Sequence, residues 1–181
     1  MKRLFVGIPI APECRENITP ISDELMRTGA SLSLVSKENL HFTLTFLGEQ
    51  HQSKSIEIET ILANIVKHHT SFSTTLQTLS AFPSAQHPKV VWIGNNAPQL
   101  RELMQDVMKS LAQIRLSEYE DTIPHITLAR IKQPTAELIA FLKQHHNTTF
   151  GTMTINKIVL FESVITPKGP IYTVVKEFFL Q

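Results

Sequence analysis

Two short stretches, NLHFTLTFLGE at residues 39–49 and PHITLAR at residues 124–130, repeat one pattern in this chain. Each contains His-x-Thr-Leu, and His41 and His125 lie 84 residues apart. The alternation of apolar and polar residues predicts that both stretches are β-strands. A helical pattern follows each of them, and both helical patterns end in a pair of histidines, so we interpret the repeat as a duplicated lobe.

Further strands and helices are predicted outward from these two stretches. Alternating or β-branched runs predict strands at Arg3–Ile10, Leu40–Leu47, Phe72–Phe82, Val90–Ile93 and Ile123–Ile131, and near Phe150–Glu162 and Ile171–Phe179. Helical spacing predicts helices at Glu13–Arg27, which Pro20 should kink or divide, at Ser53–His69 with a cap at Ser53 or Ser55, at Pro98–Ile114 and at Thr135–His146. This mixture predicts an antiparallel α+β fold, with a loop at Pro83–Pro88.

Length and composition narrow the class of protein. The 181 residues suit one domain or two closely joined lobes, and no linker or low-complexity segment divides them. The formal net charge is only +1, so any recognition of phosphate must be local. Cys14 is the only cysteine, which excludes an internal disulfide and favours an inert thiol. No apolar run reaches the length of a membrane span, and we expect a cytoplasmic protein.

Within each histidine strand, side chains two positions apart share one face. Strict alternation therefore groups His41, Thr43 and Thr45 on one face of the first strand. In the second strand it groups His125, Thr127 and Ala129. If the two lobes face each other, two imidazoles and two threonine hydroxyls meet in one cleft.

This set of groups suits acid–base chemistry on a phosphoester. A neutral imidazole takes a proton from an attacking water while a protonated one gives a proton to the leaving oxygen. Threonine hydroxyls donate hydrogen bonds to phosphate oxygens. The sequence predicts no metal or cofactor, because it has no HExxH spacing, no glycine-rich phosphate loop and no dinucleotide fingerprint. A single His-x-Thr is usually structural, whereas two copies on two predicted strands favour catalysis.

The two histidine stretches resemble the paired motifs of the 2H phosphoesterase superfamily, most closely its LigT/ThpR-type RNA 2′,3′-cyclic phosphodiesterases. The opening RLFVGIPI (residues 3–10) and the closing FESVITPKGPIY (residues 161–172) also resemble that family, so the likeness spans nearly the whole chain. The resemblance implies a single bilobal domain over residues 1–181, with two pseudo-symmetric lobes and an active site in the groove between them. It also implies metal-independent hydrolysis of RNA 2′,3′-cyclic phosphate ends to 2′-phosphates, with 2′–5′ RNA ligation as a second activity.

The resemblance further implies roles for individual residues. His41 is expected to donate a proton to the departing 3′ oxygen, and His125 to accept one from the attacking water. Thr43 and Thr127 are expected to hold the phosphate. Arg130 and Phe46 match positions that border the nucleobase, although strict alternation puts both on the face opposite their histidines. Either the strands bulge there, or the two residues serve packing.

Several alternatives stay open at this level. Relatives with the same catalytic groups act on ADP-ribose cyclic phosphate, 2′–5′ oligoadenylates or RNA 3′ ends, and loops such as Ala81–Lys89 would choose among these substrates. A non-catalytic RNA- or nucleotide-binding protein that kept the groove is a further alternative. The expected partners are RNA ends or nucleotides bearing a 2′,3′-cyclic phosphate, without an obligate protein partner.

Overall fold

The computed structural model describes residues 1–114, 123–167 and 169–181; Lys168, within the FESVITPKGPIY stretch quoted above, lies outside them. In the described residues the strands are β1 Lys2–Pro9, β2 Ser31–Leu34, β3 His41–Gln50, β4 Phe72–Ser84, β5 His87–Asn95, β6 Ile126–Gln133, β7 Thr149–Ile155, β8 Lys157–Thr166 and β9 Gly169–Phe179. The α-helices there are α1 Pro12–Arg27, α2 Ser55–Ile65, α3 Pro98–Gln113 and α4 Ala136–Gln144.

The strands form one sheet in the order β7-β4-β5-β6-β3-β1-β8-β9, with β2 added beside β6. Each described pair of neighbouring strands is antiparallel, which confirms the predicted α+β class. The two histidine strands, β3 and β6, lie at the centre. Three further strands extend outward from each of them, β1, β8 and β9 on one side and β5, β4 and β7 on the other. The sheet therefore has two matching halves that meet at the β3–β6 seam.

Each half is covered by two of the helices. Helices α2 and α3 pack on each other and on β9 and β3, whereas α1 and α4 contact β7 and β4 of the other half. Their apolar faces follow helical spacing and lie in the core. The stripe predicted for α3 is confirmed, because each of its members is buried: Leu100, Leu103, Met104, Val107, Met108 and Leu111.

Helix α1 runs undivided through Pro20, so of the two predicted effects of this residue, a kink or a division, the division is wrong. Pro20 removes one backbone donor and so leaves the carbonyl of Glu16 without its helical partner. Both residues are exposed, so water can satisfy this carbonyl.

Three other predictions need correction. The expected loop at Pro83–Pro88 is mostly strand, because β4 and β5 form a hairpin that leaves only Ala85 and Gln86 between them. The cap of α2 is Lys54, without a side-chain hydrogen bond, and short 3₁₀ turns replace both ends of the longer predicted helix. Strand β2 was not predicted; it is short and largely exposed, so it carries little apolar pattern. None of the helices in the described residues is long and apolar enough to cross a membrane.

Candidate active site

The two sequence-predicted histidines meet at the seam of the sheet. His41 is the first residue of β3, and His125 comes directly before β6. The antiparallel pairing of Phe42 with Ile126 turns both of these apolar side chains into the core, where each is 0% exposed. In this register His41 is level with Thr127, and both face outward because each is next to one of the two core residues. By the same register Thr43 is level with His125, so that the four side chains share one face of the seam.

Both imidazoles are oriented by the same local hydrogen bond. The Nδ1 atom of His41 lies 2.6 Å from the carbonyl oxygen of Asn39, and that of His125 lies 2.8 Å from the carbonyl oxygen of Ile123. A carbonyl only accepts hydrogen bonds, so Nδ1 carries the hydrogen in both rings and Nε2 is left for proton transfer. The Nε2 atom of His41 also lies 2.9 Å from the Thr43 hydroxyl, which can donate to it or accept from it.

Aromatic rings form the wall behind His41. Its ring lies 5.0 Å from that of Phe5, which stacks at 5.0 Å and 17° on Phe161. Gly7 allows the imidazole this close approach. A Cβ atom at Gly7 would lie 2.8 Å from the backbone oxygen of Phe42 and 3.2 Å from Cδ2 of His41.

His125 has an equivalent wall in the other half of the sheet. Its ring meets Phe82 edge-on at 5.0 Å, and Phe82 stacks on Trp92 at 4.9 Å and 25°. In both halves the stacked pair comes from the first and second strands outward from the histidine strand. The two halves therefore place each histidine in a similar apolar setting.

This apolar setting affects the protonation of both histidines. Burial lowers the pKa of His41, and its hydrogen bond to Asn39 opposes this effect only in part. The charge on His125 lowers the pKa of His41 further, which indicates that the two rings lie within electrostatic range of each other. Burial also lowers the pKa of His125, against the opposing hydrogen bond to Ile123. A phosphate anion between the rings would favour their charged forms and raise both pKa values.

A bulge in β3 turns Phe46 onto the histidine face. Gly7 pairs with Thr43 and Phe5 pairs with Phe46, although the two paired residues are two positions apart on β1 and three positions apart on β3. The strict alternation predicted from the sequence is therefore wrong here, and Thr45 lies in the core at 7% exposed. The Phe46 ring is 65% exposed and lies 6.0 Å from Phe5, so it borders the groove.

A second bulge in β6 does the same for Arg130. Trp92 pairs with Thr127 and Val90 pairs with Arg130, so the extra residue on β6 moves Arg130 to the face of Thr127. Ala129, which alternation put on the histidine face, is instead fully buried. The sequence left open whether the two strands bulge or the two residues serve packing. The structure has a bulge in both strands.

Sequence reasoning missed several residues that contact or support the site. The Tyr172 ring meets His41 edge-on at 5.3 Å and 87°, and both line a cavity of about 270 Å³. The Asn39 side chain donates to the carbonyl of Pro170 at 2.8 Å, two residues before Tyr172. Tyr172 ends the quoted FESVITPKGPIY stretch, but sequence reasoning assigned it no role, because β9 reaches the site only where its partner β8 pairs with the distant strand β1.

Asn95, another residue that sequence reasoning missed, supports the segment before His125. Its side-chain amide donates to the carbonyl of Pro124 at 3.0 Å, and its side-chain oxygen accepts from the backbone N–H of Ala97 at 3.0 Å. Asn95 therefore ties the residue before His125 to the start of α3. The Gly-Asn-Asn sequence at the end of β5 was the only signal for it, and that signal was not specific.

Other groups considered in the sequence lie apart from this site. Cys14 is 1% exposed, and burial raises the pKa of its thiol, as expected for an inert cysteine. His69 contacts Asp106 at 3.0 Å and His145 contacts Glu24 at 3.5 Å, in the outer helical layer. In the part of the chain that the structure describes, no three His, Cys, Asp or Glu side chains are grouped as a metal site would require.

This chain is similar to known proteins in both sequence and fold. Residues 14–164 match the model of the 2′-5′ RNA ligase superfamily. The RNA 2′,3′-cyclic phosphodiesterase of Archaeoglobus fulgidus is 34% identical over 178 residues, covering 97% of this chain and 99% of the relative. The crystal structure of TT0787 of Thermus thermophilus superposes with a TM-score of 0.83 at 25% identity, covering 98% of this chain and 97% of the other. Escherichia coli LigT complexed with 3′-AMP gives 0.78 at 25% identity, covering 99% and 98%.

Proposed function

Because this chain belongs to the 2′-5′ RNA ligase superfamily, as its motifs indicated, we propose that it is an RNA 2′,3′-cyclic phosphodiesterase. It hydrolyses 2′,3′-cyclic phosphate ends to 2′-phosphomonoesters within a single two-lobed domain. The observation that carries this proposal is the pair of histidines at the seam, each held through Nδ1 so that Nε2 is left for proton transfer.

The reaction needs one base and one acid on opposite sides of the phosphorus. His125 accepts a proton through Nε2 from a water molecule, whose oxygen attacks the phosphorus. The bond from phosphorus to the 3′ oxygen breaks, and Nε2–H of His41 protonates that oxygen as it leaves. The product is a 2′-phosphate with a free 3′ hydroxyl, and the proton lost by His41 is balanced by the one gained by His125.

The remaining predicted residues bind the substrate. Thr43 and Thr127 donate hydrogen bonds to the non-bridging oxygens, where negative charge increases in the transition state. Phe46 supplies an exposed ring on the same face, and Arg130 a guanidinium plane, for stacking on the nucleobase. Their positions after the two bulges support this role.

The same two-histidine chemistry can also use a nucleophile other than water. When the 5′ hydroxyl of a second RNA replaces water, the same proton transfers produce a 2′–5′ linkage. The matching family model is named for 2′-5′ RNA ligation, and we include this ligation as a second activity of the same site. The substrates are short RNA ends or nucleotides carrying the cyclic phosphate, and the proposed compartment is the cytoplasm.

The decisive experiment is incubation of the purified protein with RNA ending in a 2′,3′-cyclic phosphate, in excess EDTA, with identification of the product. A 2′-phosphate formed under these conditions would establish the bond broken and the independence from metal. A 3′-phosphate would contradict the assignment of the leaving oxygen. Binding without turnover would favour the non-catalytic alternative. Turnover of ADP-ribose cyclic phosphate or 2′–5′ oligoadenylate alone would show that one of these compounds, and not an RNA cyclic phosphate, is the substrate.

A further inference from the structure

Arg3 extends the histidine face of the sheet beyond the residues assigned above. Strand β1 alternates, so Arg3 shares a face with Phe5, whereas Leu4 is buried in the core at 2% exposed. Phe5 lies on the groove face, where it contacts both His41 and Phe46. Arg3 is exposed and has no ion pair within the described residues. Its guanidinium is therefore available to a ligand in the groove.

The Tyr172 side chain reaches the same part of the groove from β9. Its ring meets Phe5 edge-on at 4.8 Å and 67°, and Phe5 is the next residue along β1 on the face that Arg3 occupies. Burial raises the pKa of the Tyr172 hydroxyl, while the positive charges of Arg130 and Arg3 oppose that rise. Both guanidiniums consequently lie within electrostatic range of one hydroxyl, Arg130 from one half of the sheet and Arg3 from the other.

These three side chains offer hydrogen-bond donors and positive charge. Neither arginine has an ion-pair partner, and the Tyr172 hydroxyl has no hydrogen bond, among the residues that the structure describes. Guanidinium groups and a phenol hydroxyl together suit the oxygens of a phosphate. In the proposed reaction the histidines and threonines bind the cyclic phosphate. A ligand that also contacts Arg3, Tyr172 and Arg130 must therefore carry a second phosphate.

We propose that Arg3, Tyr172 and Arg130 form a second phosphate subsite, which binds the phosphodiester on the 5′ side of the terminal nucleotide. This inference rests on the proposed function, and it names the substrate as the end of an RNA chain rather than a free cyclic mononucleotide. Arg130 can contact both the nucleobase and this second phosphate, because the face of a guanidinium stacks on a base while its edge donates to a phosphate.

One neighbouring carboxylate bears on this subsite. Glu49 pairs with Arg3 across β1 and β3, so the two side chains share a face, although no ion pair joins them. A carboxylate there repels a phosphate and competes for the guanidinium. Replacing it, as in Glu49→Gln, should strengthen the binding of the longer substrate.

The test compares a dinucleotide ending in a 2′,3′-cyclic phosphate with adenosine 2′,3′-cyclic phosphate, which has no upstream phosphate. For each protein the ratio of kcat/KM for the dinucleotide to kcat/KM for the nucleoside is measured. Arg3→Gln should lower this ratio about tenfold, the effect of losing one charged hydrogen bond. Lys2→Gln is the matched control, because Lys2 is the neighbouring cation but pairs with Glu162 at 2.7 Å. It should leave the ratio unchanged.

A second readout separates binding from folding. In the His125→Ala background, the affinity for the dinucleotide is measured as a function of salt concentration. Loss of one phosphate contact through Arg3→Gln should reduce the slope of log affinity against log salt, because one charge–charge contact that salt screens is lost. An unchanged slope and ratio would overturn the subsite, as would an equal fall for both substrates. If the wild-type protein cleaves neither cyclic phosphate, the proposed function fails instead, whatever Arg3 does to binding.

Discussion

At the scale of single residues, the site depends on how two imidazoles are held. Each donates through Nδ1 to the carbonyl two positions earlier, at 2.6 Å for His41 and 2.8 Å for His125. These bonds select the tautomer that leaves Nε2 facing the groove. The sequence identified the histidines and threonines but could not show this arrangement, because it depends on the backbone that enters each strand.

Removal of either histidine should abolish one proton transfer. We expect His41→Ala and His125→Ala each to reduce kcat by about two to four orders of magnitude, without loss of the fold. The wild-type pH–rate profile should be bell-shaped, with its optimum in the free enzyme on the acidic side of neutrality because burial lowers both pKa values. His125→Ala should lose the rising limb of the profile, and His41→Ala the falling one. The opposite pattern would exchange the acid and base assignments.

Asn95 should affect catalysis without touching the substrate. Its amide holds the Pro124 carbonyl at 3.0 Å, so Asn95→Ala should loosen His125 and lower kcat more than it raises KM. Asn96→Ala is the matched control, because Asn96 accepts a similar bond from the Thr75 backbone N–H at 2.9 Å, away from the histidines. Kinetic constants and melting temperatures should be measured for both variants. Equal losses of activity in the two would indicate a purely structural role for Asn95.

At the scale of the elements, bulges decide which side chains line the groove. One extra residue lies between Thr43 and Phe46 in β3 and one between Thr127 and Arg130 in β6, which moves Phe46 and Arg130 onto the histidine face and Thr45 into the core. Alternation alone gives the opposite answer for these side chains, since a shift of one residue exchanges the two faces of a strand. The bulges appear only when β3 and β6 are paired with β1 and β5.

Strand β1 also needs a glycine where His41 crosses it. We expect Gly7→Ala to lower the free energy of unfolding by about 1–3 kcal/mol, because the added Cβ overpacks against the Phe42 backbone and the imidazole. Activity per folded molecule should fall as well, since the ring must move. Gly29→Ala is a useful control: its added Cβ meets nothing within 4 Å, but its φ of +71° makes alanine strained. That variant should lose stability and keep its specific activity.

At the scale of the whole molecule, two halves bury the histidines at their seam. The two central strands pair directly through Phe42 and Ile126, so the arrangement of the two histidines and two threonines depends on both halves being folded. Burial lowers the pKa values of His41 and His125 in the folded protein below the unfolded value of about 6.5. The unfolded chain therefore binds protons more readily than the folded one as the pH falls.

This difference predicts an acid-sensitive fold. The free energy of unfolding should decrease as the pH is lowered from about 6.5 through the folded pKa values, and it should be fully recovered above that range. In a His41→Gln, His125→Gln variant the decrease over the same range should be smaller. Urea unfolding of both proteins at several pH values measures this difference. Parallel curves would show that the two histidines do not contribute to it.

The sequence by itself determined the α+β class, the amphipathic helices and the four central side chains, because periodicity and the repeated motif are local properties of the chain. Tertiary structure decided the rest. Strand pairing brought Phe5, Phe161 and Tyr172 to His41 from three distant segments, and bulges reversed the faces assigned to Phe46 and Arg130. These features depend on which strands become neighbours and in what register, and a local pattern in one strand does not contain that information.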